Sequence, residues 1–359
     1  MFLDREKAFD RVEHQFLHKV LHAFGFGDSF INWVKLLQAN ATTRIKVNGH
    51  LTTDIPLKRG ARQGDPLSFY EYVIVDEVLA LQLRNNPNIV GFQVGGEKIV
   101  SAHYADDATI AILQNRCFKE VIKDLNDFGE ASGSKMNPKK TTGLWTGPWT
   151  NRTDKPIPIK FTNMNVKSLG VYFGNDDPAR ETFMDIITKV RRTLNYWKPF
   201  ALSKLAKARV IEIFHASRLW YAATFYPIPK QMRDELQKAF LNYIDFPGKV
   251  TTVSQAEMKR LRGNGGLKLI DIQTKANASK VQWLMALCHD PNLHTHKALL
   301  DLLLGTHSGR QVGVELFFTA NTYTATSIKQ FHSPFYKEAV FLCERIGMFA
   351  ILRFADKDP

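Results

Sequence analysis

Ile99-Val100-Ser101-Ala102-His103-Tyr104-Ala105-Asp106-Asp107-Ala108-Thr109-Ile110-Ala111-Ile112 decides how the rest of the chain is read. Apolar and small residues surround two adjacent carboxylates. On a regular strand neighbouring side chains point to opposite faces, so one of the pair would be driven toward the interior. A tight turn at the pair relieves this and leaves strands over 99–102 and 108–112. The plain alternative is a hairpin turn and nothing more, since Asp is common in turns.

A second apolar run, Phe2-Leu3, also ends in a carboxylate, Asp4. If the two elements pair side by side, Asp4 and Asp106 share one face. Close carboxylates repel and lose solvation unless a cation joins them. Hard oxygen donors suit Mg²⁺. Two such ions roughly 4 Å apart can bind the attacking and leaving oxygens of a phosphoryl transfer. Nothing local requires that pairing.

Around these carboxylates the pattern is mixed. Phe16, Leu17, Val20, Leu21 and Phe24 share a helical face that Gly25 and Gly27 end. A second helix is predicted over 28–39 and a hairpin over 43–49. In Arg62-Gln63-Gly64-Asp65-Pro66, Asp65 suits an N-cap and Pro66 a first helical position, opening a helix to about residue 83. Short strands flank Gly95-Gly96. A helix near 117–131 and strands near 142–145 and 168–173 follow. The charged turn Asn175-Asp176-Asp177-Pro178 marks a boundary, and helical patterns dominate beyond it.

The 359 residues are 44% hydrophobic, enough for a sizeable core, and carry a formal charge of +13, which favours a polyanionic partner by a modest margin over a solvated basic surface with no specific partner. Residues 175–262 hold 16 Lys/Arg against 9 Asp/Glu. No apolar run approaches the length of a membrane span. Charge at the fourth residue argues against a signal peptide. Cys117, Cys288 and Cys343 have no metal-ligand spacing and suit a reducing compartment. Nucleus and cytoplasm are both open, because no compact basic targeting signal stands out.

Five segments, in order, resemble the reverse transcriptases of LINE-type (non-LTR) retrotransposons. Phe2-Leu3-Asp4-Arg5-Glu6-Lys7-Ala8-Phe9-Asp10-Arg11-Val12 is similar to motif A, and Arg62-Gln63-Gly64-Asp65-Pro66-Leu67-Ser68 to motif B. Tyr104-Ala105-Asp106-Asp107 is similar to motif C. Asn137-Pro138-Lys139-Lys140-Thr141 is similar to motif D, and Ser168-Leu169-Gly170-Val171-Tyr172-Phe173-Gly174 to motif E. One four-residue motif is weak, but five in order are specific. Looser likeness continues through Trp197 to Arg209, Ser217-Arg218-Leu219-Trp220-Tyr221, Gly265-Gly266-Leu267 and Ser333-Pro334-Phe335-Tyr336-Lys337-Glu338.

The resemblance implies an α+β fold. An antiparallel palm sheet backed by helices would occupy 1–174, and a mainly helical thumb and C-terminal region 175–359. It implies RNA-directed DNA polymerase chemistry, with an RNA template, a DNA primer and deoxynucleotide triphosphates as partners. No membrane and no particular protein partner is implied. Asp4, Asp106 and Asp107 would hold two Mg²⁺, or Mn²⁺ in their place. Phe9 would be the aromatic gate that excludes a ribose 2′-OH. Gln63 and Gly64 would lie against the incoming nucleotide, with Arg62 nearby. Lys140, or Lys139, would sit near the leaving pyrophosphate, and 168–174 would grip the primer end. Because the motifs start at the first residues, the fingers of that family are expected to be absent. The rival expectations are a non-catalytic nucleic-acid-binding remnant and a reading frame without retained function.

Four features fall outside this pattern. After Ser68 the family usually has Pro and an apolar run, whereas here Phe69-Tyr70-Glu71-Tyr72 puts a carboxylate in the helix. His14, His18 and His22 share a helical face, a spacing more often inert than metal-binding. His294 and His296 suit a surface loop. Trp197, Trp220, Tyr221, Phe225 and Tyr226 lie among basic residues, where core packing is favoured over base stacking.

Overall fold

The short strand Phe2–Leu3 is paired on both sides, and that pairing organises the first half of the molecule. A computed structural model describes residues 1–245 except Gly95, residues 254–290, and Leu293, His296 and Leu342. The side chains of Cys288 and His289, together with His294, Ser333-Pro334-Phe335-Tyr336-Lys337-Glu338 and Cys343, lie outside the described residues. Two compact units divide between Leu169 and Gly170.

The first unit contains β1 (Phe2–Leu3), α1 (His14–Ala23), α2 (Asp28–Gln38) and four two-residue strands, β2 (Thr42–Thr43), β3 (Lys46–Val47), β4 (His50–Leu51) and β5 (Ile55–Pro56). Then come α3 (Ser68–Asn85), β6 (Phe92–Val94), β7 (Glu97–Ile99), β8 (Ser101–Tyr104), β9 (Asp107–Ile110), α4 (Asn115–Ser132), β10 (Thr142–Leu144), β11 (Lys160–Thr162) and β12 (Val166–Ser168). The main sheet has five strands in the order β11-β10-β1-β9-β8. β1 runs antiparallel to β9, with Phe2 opposite Thr109 and Leu3 opposite Ala108, and antiparallel to β10. Only the edge pair β10-β11 is parallel. The fold is α+β, as expected.

Leu3, Ala108 and Ile110 point from the sheet into a core shared with Leu17 and Leu21 of α1, Tyr72, Val75, Leu79 and Leu83 of α3, and Val121 and Phe128 of α4. On α3 the buried positions recur at three- and four-residue steps, the period of one helical face. The hairpin predicted over 43–49 forms as β3-β4. Asn48 and Gly49 turn it with φ of +50° and +90°, the type I′ geometry these residues favour.

The start of α3 differs from expectation. The helix opens at Ser68, not at Pro66. Asp65 does not cap it. Its carboxylate accepts the Leu67 N–H at 2.9 Å, and its carbonyl accepts the Ser68 N–H at 3.2 Å. The short polar side chain makes a turn of its own first, and the helix begins after it.

The second unit runs from β13 (Val171–Phe173) into α5 (Pro178–Trp197), α6 (Lys204–Val210), a π-helical turn (Ile211–Ala216), α7 (Ser217–Phe225), α8 (Lys230–Ile244), α9 (Gln255–Lys259) and α10 (Ile272–His289). Asp177 caps α5 by accepting the Arg180 N–H at 3.1 Å, with Pro178 following it. Phe183, Val190, Leu219, Leu236 and Phe240 are wholly buried in its core. Trp197, Trp220 and Tyr226 pack against that core, as favoured, while Tyr221 and Phe225 remain 50% and 40% exposed. No helix among the described residues is long and apolar enough to cross a membrane.

Candidate active site

The carboxylate pair sits at a two-residue hairpin. Tyr104 pairs with Asp107, so Ala105 and Asp106 form the loop between β8 and β9. Ala105 has a φ of +51°, an uncommon conformation for a residue with a Cβ. The turn lets both carboxylates stay exposed at the sheet's end, which removes the burial problem posed by an unbroken strand.

Asp4 follows β1 directly. Continuing the β1-β9 register by one residue sets Asp4 opposite Asp107, with Asp106 in the adjoining loop. Directly opposed antiparallel residues share a face. Asp107 is exposed but loses part of its solvation at the hairpin; that loss, then the negative charge of Asp106, then that of Asp4 push its carboxyl above the ordinary carboxylate range. The backbone of Asp4 is anchored on its other side. Its N–H donates to Thr141 Oγ1 at 3.2 Å, and its carbonyl accepts the Asn137 N–H at 2.9 Å.

Asn137 also folds the segment that carries the lysines. Its carbonyl accepts the Lys140 N–H at 3.2 Å, and its side-chain oxygen accepts the Lys139 N–H at 3.2 Å. Lys140 Nζ thereby comes to 4.0 Å from Asp4 Oδ2. That oxygen is buried and has no hydrogen-bond donor. A buried carboxylate oxygen without a donor is costly unless a cation meets it, and an ammonium at 4.0 Å meets it only loosely. Among the described residues no three His, Cys, Asp or Glu side chains stand close enough to hold a metal unaided. Asp4, Asp106 and Asp107 therefore do not by themselves form a three-ligand group, and an Mg²⁺ held by one or two of them would need substrate oxygens to complete its shell.

Phe9 lies in a single 3₁₀ turn, Phe9–Arg11. Its ring stacks on Tyr72 with centroids 4.4 Å apart and planes 26° apart. The loop that follows β5 runs alongside: Ala61 N–H donates to the Phe9 carbonyl and Gly60 N–H to the Val12 carbonyl, both at 2.8 Å. Gly60 has a φ of +95°, and a Cβ there would stand 2.9 Å from the Asp10 carbonyl oxygen, so only glycine allows this approach. Gln63 donates to Asp10 Oδ1 at 3.4 Å. Gly64 has a φ of +96° and open space around its α-carbon. The Arg62 guanidinium donates to the Leu37 carbonyl at 2.6 Å, so it is engaged at the C-terminus of α2.

Reverse transcriptase (RNA-dependent DNA polymerase) is the family whose model matches residues 1–173. The "Transposon TX1 uncharacterized 149 kDa protein" of Xenopus laevis is 31% identical over 250 residues, 67% of this chain and 19% of that protein. A retrovirus-related Pol polyprotein from the type-1 retrotransposable element R2 of Popillia japonica is 27% identical over 196 residues, 51% of this chain and 27% of the relative. That from the type-2 element R2DM of Drosophila melanogaster is 30% identical over 145 residues, 40% of this chain and 13% of the relative. The chain carries a reverse transcriptase domain of the non-LTR retrotransposon type. It spans less than a third of the length of each of these relatives.

Within this reverse transcriptase domain lies a polar network that sequence reasoning missed. Arg5, buried next to Asp4, donates to the Tyr72 hydroxyl at 3.0 Å and forms an ion pair with Asp76. His103 Nδ1 donates to the other Asp76 oxygen at 2.7 Å, and its Nε2 lies 2.9 Å from Ser101 Oγ. Burial raises the Tyr72 hydroxyl to about 12, so it stays protonated. The only signal was the position of Asp76 beside Tyr72, Val75 and Leu79 on the buried face of α3; Arg5, in the charged run Asp4-Arg5-Glu6-Lys7, gave none. On the three-histidine face of α1, His14 donates to the Gly60 carbonyl and His18 to the Gln38 side chain. Glu71 of the reverse transcriptase domain is buried, at 7% exposure, beside Asp65 and Arg62.

Proposed function

We propose that the chain provides the catalytic palm, residues 1–174, and a helical thumb and C-terminal region, residues 175–359, of an RNA-directed DNA polymerase. It would add deoxynucleotides to the 3′-OH of a DNA primer on an RNA template. The observation that carries this reading is the donor-free Asp4 Oδ2 beside a hairpin whose Asp107 is pushed up by neighbouring negative charge. Such a cluster calls for cations.

Asp4, Asp106 and Asp107 are the residues that would hold two Mg²⁺, or Mn²⁺ in their place. When bound, such ions neutralise the triphosphate and make the primer hydroxyl a stronger nucleophile. Lys140 contributes a positive charge and a proton donor on the Asp4 side of the site, suited to the leaving pyrophosphate. The Phe9 ring excludes a 2′-OH by occupying its space. The open surroundings of Gly64 let a nucleotide approach the backbone closely, and Gln63 lies beside it. Arg62 serves less directly, since its guanidinium braces α2.

The test is primer extension on a primed RNA, with and without Mg²⁺, comparing the parent chain with Asp106→Ala. The reading expects Mg²⁺-dependent DNA synthesis that falls by about 100- to 1,000-fold in the variant, the scale of losing one charge-stabilising group. Salt-dependent RNA binding with no extension by a folded parent chain would leave a nucleic-acid-binding role only.

A further inference from the structure

The ring of Phe9 is held from behind by a chain of contacts that ends on the same strands as the catalytic carboxylates. Phe9 itself belongs to one short turn and is half-buried. Its stacking partner Tyr72 is 2% exposed. Tyr72 and Asp76 are four residues apart on α3 and so share a helical face. Arg5, one residue after Asp4, ties both together through its guanidinium. His103, on β8 just before Tyr104, fixes the far oxygen of Asp76. Arg5 is further flanked by the rings of Tyr72 and Phe128, its guanidinium carbon 6.0 and 5.8 Å from their centroids. Arg5, Tyr72 and Asp76 are buried, and the polar links join three segments: the residue after β1, α3 and β8, with Arg5 Nη2 and Asp76 Oδ1 meeting as an ion pair and making no hydrogen bond.

We propose that Tyr72, locked by Arg5 and Asp76, is a positioning residue that sets how far Phe9 reaches toward the sugar, and hence how strongly ribonucleotides are rejected. The inference rests on the polymerase reading above. An aromatic ring that discriminates one hydroxyl acts by volume, so a retreat of a fraction of an ångström makes room for the oxygen. A functional group holds its geometry to about 0.5 Å only when the residues behind it are themselves locked. Here the backing is referenced to β1 and β8, the two elements that bring Asp4 and Asp106 to the site. The gate and the carboxylates then share one frame, and the gap between them stays constant.

The experiment measures dATP and ATP affinities, with Mg²⁺, for the full chain on an RNA template whose DNA primer ends in a dideoxynucleotide, so that nothing reacts. Selectivity is the ratio of the two dissociation constants. Phe9→Val is the control and Tyr72→Leu the test, with Tyr72→Phe as the variant that keeps the stacked ring but loses the Arg5 link. A hydrophobic site rejects an added hydroxyl by at most about 100-fold. On that scale we expect selectivity to drop about tenfold or more in Phe9→Val and in Tyr72→Leu, and about threefold in Tyr72→Phe. The drop should come from tighter ATP binding. General loosening of the fold would weaken both nucleotides and would contradict the proposal. Selectivity lost in Phe9→Val but unchanged in both Tyr72 variants would overturn it and leave the polymerase reading standing. A parent chain that binds dATP and ATP equally would overturn both.

Discussion

At the scale of single residues, the site depends on charges that are tolerable only in company. Asp4 and Asp107 face one another through the strand register, and Asp106 joins them from the loop. The buried Arg5-Asp76 pair obeys the same rule. Replacing both partners by apolar groups can be neutral, whereas removing one strands the other in a low-dielectric interior. Asp76→Ala should therefore cost about 3–5 kcal/mol, read as a shift of the urea midpoint without a change in slope. A cost below about 1 kcal/mol would mean that water reaches Arg5 and the pair is not a closed unit. The carboxylates themselves were legible in the sequence, because Asp has no ordinary place inside an apolar run. Their register was not. It depends on hydrogen bonding between segments about a hundred residues apart, and sequence pattern alone left Asp106 as the expected partner of Asp4. The Arg5-Asp76 link was hidden for the same reason, since Arg5 sits in a charged run and nothing near it in the sequence names Asp76 as its partner.

At the scale of elements, local chemistry was legible wherever a short-range rule governs it. Asn48-Gly49 turned the hairpin that such a pair turns, and Asp177-Pro178 opened α5. The start of α3 was misread by two residues because Asp65 can cap either a helix or a turn, and the positive φ of Gly64 decided for the turn. The parallel edge strand β11 was not foreseen, since its pairing follows an irregular connection with only a 3₁₀ turn at Gly147–Trp149. Glu71 on α3 supplies a prediction at this scale. Burial, and then Asp65, raise its carboxyl above the ordinary range, against the opposing pull of Arg62. For an acid, a folded-state pKa above the unfolded value means that stability is greatest below the unfolded pKa and declines as pH rises through the folded one. Glu71→Gln should therefore raise the Tm at pH 8 and leave it nearly unchanged near pH 4. An equal rise at both pH values would assign the effect to packing instead of charge.

At the scale of the whole molecule, the +13 surplus favours a polyanionic partner over a merely solvated basic surface, and salt dependence tells the two apart. Lys and Arg outnumber Asp and Glu 16 to 9 across 175–262. For single-stranded nucleic acid each neutralised phosphate contributes about −0.7 to the slope of log affinity against log salt. Four or more contacts predict a slope of about −3 or steeper for RNA, measurable by titration between 50 and 200 mM salt. A flat dependence would contradict a phosphate-tracking surface. The central claim, however, is that Asp4 and the Asp106-Asp107 hairpin act as one cation-dependent centre, and a double-mutant cycle in primer extension tests it most directly. Asp4→Asn, Asp106→Asn and the double variant would be compared with the parent chain at fixed Mg²⁺. Groups that work as a unit are far from additive. The account predicts that the double variant is no slower than the worse single variant. Losses that multiply would show two carboxylates acting independently, and would contradict the shared site.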